Sequence, residues 1–532
     1  MSQSYDEIVS DILRTDGYEE EPFSTADWFI YQKSTSWTPA SPTTVSSVLL
    51  EAKPAGKFVD FSKSYILVKF SLSKSAGGAL TAGLYSLSGS AYSLIRSAKL
   101  EINGDMKDQN LQPALSVHIR NLLTKSAKQI EQEAAETLYY PIKSTQGIGA
   151  SETGTLTALA DQGQFGLNAV VPPTKSLAAV PGVATNQGWE IVGDSQDLMG
   201  LATSVVGPPA TYTIANALNQ EFVKSQKRLQ VAGTKQYYDG TNGYNGIWVK
   251  LYLSDLFGFC RQNKVLPITT SVRITLEVQT SPVTQFTRDD TGTATDVGAT
   301  WQDCAYMQFE CTLNDRLQAS YLEAVKKGAK IPISCDLMNY IQNTVADTSN
   351  LVSFSASVPY VGTLKYVMVY PQSQQVVKDE TRNHLISGCI GDFTNNFVTI
   401  DGSQYPKLLT NQGSSYGYLM EYEQLKRMSS IPMDESFLSL QRTFIKPVGS
   451  PLAIWPCFMY PILCYDVSHR PASQQLSQNS SVIGFNMQWS APGYGAGGND
   501  NLAGANSVNY YMFYIYEHHE TLDPLTGQFT TV

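Results

Sequence analysis

The densest group of potential metal ligands in the chain is Glu517-His518-His519-Glu520. Two imidazoles and two carboxylates are a donor set that could hold zinc in a tetrahedron. The quartet ends a strand-like run, VNYYMFYIYE (508–517), and successive residues on a strand point to opposite faces. His518 and His519 therefore do not converge on one ion, and the group reads as a polar strand end. The other histidines, His118, His384 and His469, are scattered, with no HExxH and no Cys/His cluster at zinc spacing. Gly413-x-Ser415-x-Gly417 spells a nucleophile elbow, with His469 downstream as a base. The elbow needs a buried strand directly before its serine, and LLTNQG reads as a loop. Gly493-x-Gly495-x-x-Gly498 has the spacing of a dinucleotide fingerprint, but NDNLAGAN follows and offers no helix to receive a pyrophosphate. No Walker lysine motif is present. The sequon Asn479-Ser480-Ser481 matters only in a secreted chain. No catalytic, cofactor-binding or metal residue is assigned, and no cofactor is expected.

The bulk numbers narrow the function classes. The 532 residues carry 47 acids and 37 bases, a net charge of −10, so a surface built to neutralise phosphates, and with it sequence-specific nucleic-acid binding, is not expected. The clusters Lys224/Lys227/Arg228 and Lys326/Lys327/Lys330 read as solvated faces. No run of 18 apolar residues exists, which excludes a membrane-spanning helix by the usual length criterion. The N-terminus has neither the basic nor the apolar segment of a secretion signal. Seven cysteines without a CxxC pair read as reduced thiols in an intracellular setting. Cys457 and Cys464 lie in an apolar stretch and read as buried small hydrophobes.

Charged residues make up 16% and tyrosines number 30, a profile of short strands and many turns. Residues 1–44 read as an arm. Within it Ser4 and Glu7 have capping-box spacing, and Ile8, Val9, Ile12 and Leu13 make one apolar helical face that needs a partner, either its own domain or a neighbouring subunit. Alternation marks strands at 65–72, 248–253, 272–278, 306–313 and 364–370. Residues 113–137 read as helical, with Leu115, Ile119, Leu122 and Ile130 on one side. Residues 144–218 hold only six charges and are rich in Gly, Ala, Thr, Ser and Pro, as in an elaborated surface insertion. Residues 280–300 read as a polar loop, and 314–328 as a connector helix stopping at Gly328. SAKLEINGDMKDQ (97–109) and NNFVTIDGSQYPK (395–407) echo each other, each a strand running into a tight turn with a helix downstream (414–428 in the second case). Gly402 − Gly104 gives a spacing of 298, that of a duplicated domain rather than a solenoid unit. The strand 508–517 is apolar on both faces, as if held between layers or subunits.

Together these features predict an all-β chain: two tandem eight-stranded antiparallel jelly-roll sandwiches, with short helices and long loop insertions. The first is expected over 45–313, the second over 329–525, with a tail at 526–532. At this point the chain resembles the double jelly-roll major capsid proteins, the lineage of adenovirus hexon, giant viruses, virophages and polinton-like viruses. The resemblance rests on Leu253, Phe257, Phe259, Leu266 and Pro267 in IWVKLYLSDLFGFCRQNKVLPITTSVRITLEV (247–278). It rests also on CAYMQFECTLNDRLQASYLEAV (304–325) and DGSQYPK (401–407). Giant-virus members usually start the connector helix with Leu-Asp-x-x-Glu-Arg; Leu313-Asn314-Asp315-Arg316 stands here instead, as in a distant branch.

The resemblance implies a non-enzymatic protein of the virion capsid, made in the host cytoplasm. It implies a homotrimer whose six rolls mimic a hexagon and tile an icosahedral shell. Neighbouring capsomers, penton and minor capsid or cement proteins would be its partners. Residues 144–218 would be an outward tower, and the N-terminal helix an arm touching neighbours at the base. Two other classes fit an all-β chain: a viral or cell-surface attachment or carbohydrate-binding protein, and a cupin- or glycosidase-like enzyme. The second is disfavoured by the lack of a paired His-x-His.

Overall fold

The computed structural model describes residues 5–14, 23–32, 47–54, 56–74, 83–87, 90–139, 153–154, 212–213, 236–238, 247–279, 286–288, 297–346, 351–359, 363–373, 393–411, 423–424, 426–429, 442–445, 455–458, 462–468, 480–489 and 507–531. Among the described residues, sixteen strands make the main paths of two sandwiches. The first comprises β1 (Phe23–Gln32), β2 (Ser47–Ala52), β3 (Phe58–Lys74), β4 (Ile95–Ile102), β5 (Asp105–Asn110), β6 (Ile247–Tyr252), β7 (Val272–Val278) and β8 (Val297–Leu313). The second comprises β9 (Ile331–Ala346), β10 (Leu351–Pro359), β11 (Thr363–Ser373), β12 (Phe393–Ile400), β13 (Ser403–Asn411), β14 (Leu463–Asp466), β15 (Ser480–Trp489) and β16 (Ser507–Leu522).

In the first sandwich the sheets run β1-β8-β3-β6 and β2-β7-β4-β5. In the second they run β9-β16-β11-β14 and β10-β15-β12-β13. Adding eight to each label of the first order yields the second. All these pairings are antiparallel. This is jelly-roll connectivity, used twice.

The cause is visible along each strand. In β7 Val272, Ile274, Leu276 and Val278 are buried while Arg273 is exposed. In β3 Ile66, Val68 and Phe70 turn inward to meet them. A period of two buries one face of each sheet against the other. The two sequence echoes share a backbone conformation. Asn103-Gly104 joins β4 to β5 and Asp401-Gly402 joins β12 to β13, with φ of 53° and 89°, and 49° and 82°. Two consecutive left-handed residues make the primed turn that matches the twist of a hairpin, which explains Asn-Gly and Asp-Gly here.

Among the described residues the four longest helices are α1 (Tyr5–Ile12), α2 (Pro113–Thr124), α3 (Ala127–Thr137) and α4 (Asp315–Lys326). Residues 113–137 are thus two helices, not one. Lys125 leaves the helical path at the break and turns its ammonium inward to Asp255. Helix α4 links the sandwiches. Its cap is Asn314, whose Oδ1 accepts from Leu317 N at 2.9 Å, and it ends at Gly328 with φ of 85°. Asn314→Ala is expected to lower stability by about 1 kcal/mol, read in a chemical denaturation curve.

Sequence patterning assigns residues 1–44 to an arm, yet β1 lies inside that stretch and is a sheet strand paired to β8 from Phe23 to Gln32. Its exposure hides it from pattern reading, since most of its side chains are exposed on both faces. Helix α1 docks on its own chain. Val9 and Leu13 are fully buried, Leu13 O accepts from Val265 N, and Asp6 Oδ1 accepts from Lys330 N. The expected tail also has structure: Phe529–Thr531 pairs with Glu520–Leu522 as an added edge. The 144–218 insertion lies outside the described residues except for the pairing of Thr153–Gly154 with Tyr212–Thr213.

Candidate functional site

The two sandwiches meet along a seam that β16 explains. Tyr510, Met512, Tyr514 and Tyr516 point into the second sandwich. Tyr511 and Phe513 point the other way and pack with Leu115, Ile119, Leu122, Leu123 and Ile130 of α2 and α3. The doubly apolar strand is therefore held between its own core and the helical hairpin of the first sandwich. Met338, Met368, Tyr370 and Cys464 complete this second core.

Beneath the hairpin lies a buried polar knot. Asp255 accepts from Tyr92 Oη at 2.7 Å and from Lys125 Nζ at 2.7 Å, and Lys125 also reaches Glu133 at 2.6 Å. Arg120 donates to Asp255 O at 2.9 Å. Asp108 accepts from Phe259 N, and burial pushes its carboxyl up against the pull of Arg120 and backbone N–H groups. Such knots fix one geometry, because an unpaired buried charge is costly.

A clasp closes the other end of the seam. Lys107 Nζ lies 2.9 Å from Glu520 Oε2 and 3.4 Å from the Phe529 ring centroid. Asn103 donates from Nδ2 to Gly527 O and accepts from Thr270 N. Gly258 packs so closely against β9 that the Asp336 carbonyl occupies the place of a side chain.

Outside the seam, one sheet face has little cover among the described residues. The β9-β16-β11-β14 face is covered by α2 and α3. The equivalent β1-β8-β3-β6 face carries Glu136 of α3, bonded to Lys250 and Tyr252, over only one edge. Its far side exposes Trp28 (46%) and Ile30 (63%), and the other end of β6 exposes Trp248 (47%). Trp28 stacks edge-on against Phe309 and donates from Nε1 to Lys63 O. β1 is also a sheet edge, with a row of backbone groups that β8 leaves unpaired. Exposed apolar patches of this kind mark interaction surfaces.

The sequence-level chemistry is not brought together. His518 Nε2 faces Glu520 at 3.6 Å and His519 Nε2 faces Glu517 at 3.7 Å, on opposite sides of β16. Among the described residues no group of three His, Cys, Asp or Glu is placed to hold a metal. Cys260, Cys304, Cys311, Cys335 and Cys464 are buried and not in disulfides. Burial pushes the Cys311 thiol up to about 12. The Gly413–Gly417, Gly493–Gly498 and Asn479 motifs, with His384, His469, Cys389 and the Cys457 side chain, lie outside the described residues. No helix among the described residues is long and apolar enough to cross a membrane. The seam residues Arg120, Asp255, Lys107 and Glu520 carry no local signal that sequence reading could use.

No protein-family model matches the sequence, and no curated protein matches it. Solved structures do. A chain of the Sputnik virophage, seen by cryo-EM at 3.5 Å, is similar over 97% of this chain and 90% of its own, with a TM-score of 0.53 and 10% identity. The mavirus major capsid protein gives 0.45 at 8% identity over 97% and 92%. The Faustovirus major capsid protein gives 0.42 at 9% over 95% and 91%. At such identities the likeness is one of fold, and the virophage match over nearly the whole chain, joined to the twice-used strand order, makes this chain a double jelly roll.

Proposed function

We propose that the chain is a major capsid protein that assembles into ring-shaped trimers of six jelly rolls, which tile an icosahedral shell. One observation carries the reading: equivalent sheet faces are treated differently. The face of the second roll is covered by helices of the first, whereas most of the face of the first has no cover among the described residues. An open face on the first roll, where the equivalent face of the second is covered, leaves a place that a neighbouring copy can cover, and head-to-tail contacts of this kind close into rings when the rotation permits. Two rolls per chain make six positions in a ring of three. The mavirus and Faustovirus relatives of the fold are named as major capsid proteins, which supports the same reading. Neighbouring capsomers, penton and minor capsid or cement proteins are then its further partners, the virion its location and the host cytoplasm its place of synthesis. The protein has no catalytic role in this reading.

Native mass spectrometry tests it. A particle of three chains is expected at micromolar concentration, and a stable monomer would refute the proposal. Ile30→Asp is expected to weaken trimer formation by about 30-fold, as for a truncated hot spot. Its effect on the denaturation curve of the monomer should stay within about 0.5 kcal/mol, because the residue is exposed there.

A further inference from the structure

A cavity of about 460 Å³ opens between the rolls. Arg120 and Thr124 of α2, with Arg261, form one wall. Leu123, Met338, Met368, Met428 and Ile515 supply an apolar wall, and Lys365, Asp336 and Glu517 are among the remaining lining. The volume lies in the range of small-molecule sites, as does the mixture of many apolar groups with a few polar ones.

The charges on the walls do not balance where they stand. Lys365 is held by Asp336 at 2.8 Å and by Glu517 at 3.4 Å, so these three neutralise one another with one negative charge left over. Arg120 and Arg261 are different. Among the described residues neither has a carboxylate within ion-pair distance; each is held through a backbone carbonyl, Arg120 by Asp255 O and Arg261 by Ser254 O at 2.7 Å. Burial pulls the Arg261 guanidinium down to about 9, and the neighbouring charge of Arg120 pulls it further the same way, against the pull of Asp255. Asp108 and Asp255 act on Arg120, and Asp255 on Arg261, without a direct ion pair, and two largely buried guanidinia lacking one are costly. Their planar forks match a carboxylate or a phosphate.

We infer that this cavity binds an anion with an apolar body, its carboxylate or phosphate head between Arg120 and Arg261 and its body against Leu123, Met338, Met368 and Met428. The flexible thioethers suit an occupant of irregular shape. Asp336 and Glu517 repel the head from the Lys365 end and so set its direction. The ligand bridges elements of both rolls, and binding the folded chain alone would stabilise the join between them.

Thermal melting of the full chain with added decanoate, and separately with inorganic phosphate, tests the inference. Decanoate at 100 times its dissociation constant corresponds to about 2.7 kcal/mol, read as an upward shift of the melting temperature. Arg261→Gln should abolish that shift, and Arg261→Lys should keep part of it. No shift with decanoate, or an equal shift in Arg261→Gln, would overturn the inference. An equal shift with phosphate alone would overturn the apolar body. Since Arg261→Gln could disturb the fold, isothermal titration of the unaltered chain with decanoate provides a second reading, and absence of saturable binding there also overturns it. The oligomeric state, measured in the same samples, reports on the capsid reading separately.

Discussion

Gly258→Ala is expected to prevent the two rolls from closing on each other. The residue has φ of −63° and ψ of −36°, which any amino acid adopts without strain. The penalty comes only from space. An added Cβ would fall far inside van der Waals contact with the Asp336 carbonyl oxygen, and within 3.1 Å of its carbon and 3.3 Å of Leu337 Cα. These are backbone atoms of β9, which is paired residue by residue with β16, Asp336 facing Glu517. They cannot swing aside as a side chain would. Forcing atoms into a close-packed join costs about 1–3 kcal/mol where neighbours can give. With backbone on the receiving side, more than about 3 kcal/mol is expected. The measurement is the yield of soluble protein and its denaturation midpoint. Gly484→Ala is the contrasting variant, since its Cβ would meet chiefly the Thr399 hydroxyl, a side-chain group. A Gly258→Ala protein as stable as the unaltered chain would show that the join yields.

Lys107→Met is expected to cost about 3–5 kcal/mol, because it strands a buried carboxylate. Lys107 and Glu520 are 6% and 4% exposed, and they come from different rolls. Burial pushes the Glu520 carboxyl up, but hydrogen bonds from His518 and Lys107, with their charges, outweigh it and hold the group below its ordinary value. The sign of the pH dependence follows. A carboxylate held low when folded contributes stability above its unfolded value, about 4.3, and loses it as pH falls through the folded value. In Lys107→Met one of the two partners is gone, burial gains on the remaining His518, and the folded value rises. The penalty of the substitution should therefore be largest near neutrality, begin to shrink as pH falls through the variant's raised folded value, and go on shrinking until pH passes below the folded value of the unaltered chain, where Glu520 is protonated in both proteins. Urea denaturation at pH 7 and pH 4 checks this. The double variant Lys107→Met/Glu520→Leu should lose less than the sum of the singles, since neither charge is then stranded. Equal penalties at both pH values would count against the ion pair as the source of the effect.

Much of the fold was legible in the sequence. Strands with one buried face show it directly: β7 alternates without a break, and so does the middle of β3. The primed turns at Asn103-Gly104 and Asp401-Gly402 announced the duplication, because few residues accept that backbone. β1 escaped because an edge strand exposed on both faces has no alternation to read. The break between α2 and α3 escaped because its cause is Asp255, 130 residues away. The join between the rolls depends on pairs such as Lys107 and Glu520, 413 residues apart. Periodicity is local, and such pairings leave no local trace. The doubly apolar run of β16 did signal a cover on its second face, and the structure identifies that cover as α2 and α3.

The position of the last strand in each sheet bears on how the chain is made. β8 lies between β1 and β3, and β16 lies between β9 and β11. A ribosome delivers β1 and β3 long before β8; Tyr31 waits 279 residues for Glu310. Until that strand emerges, the nascent first roll holds two unsatisfied edges and half a core, a state prone to wrong pairings. Contacts so distant along the chain also make for slow closure. Each roll is thus completed by insertion rather than by growth at an edge, and a truncation just before residue 297 or residue 507 should leave an aggregating fragment instead of a smaller domain.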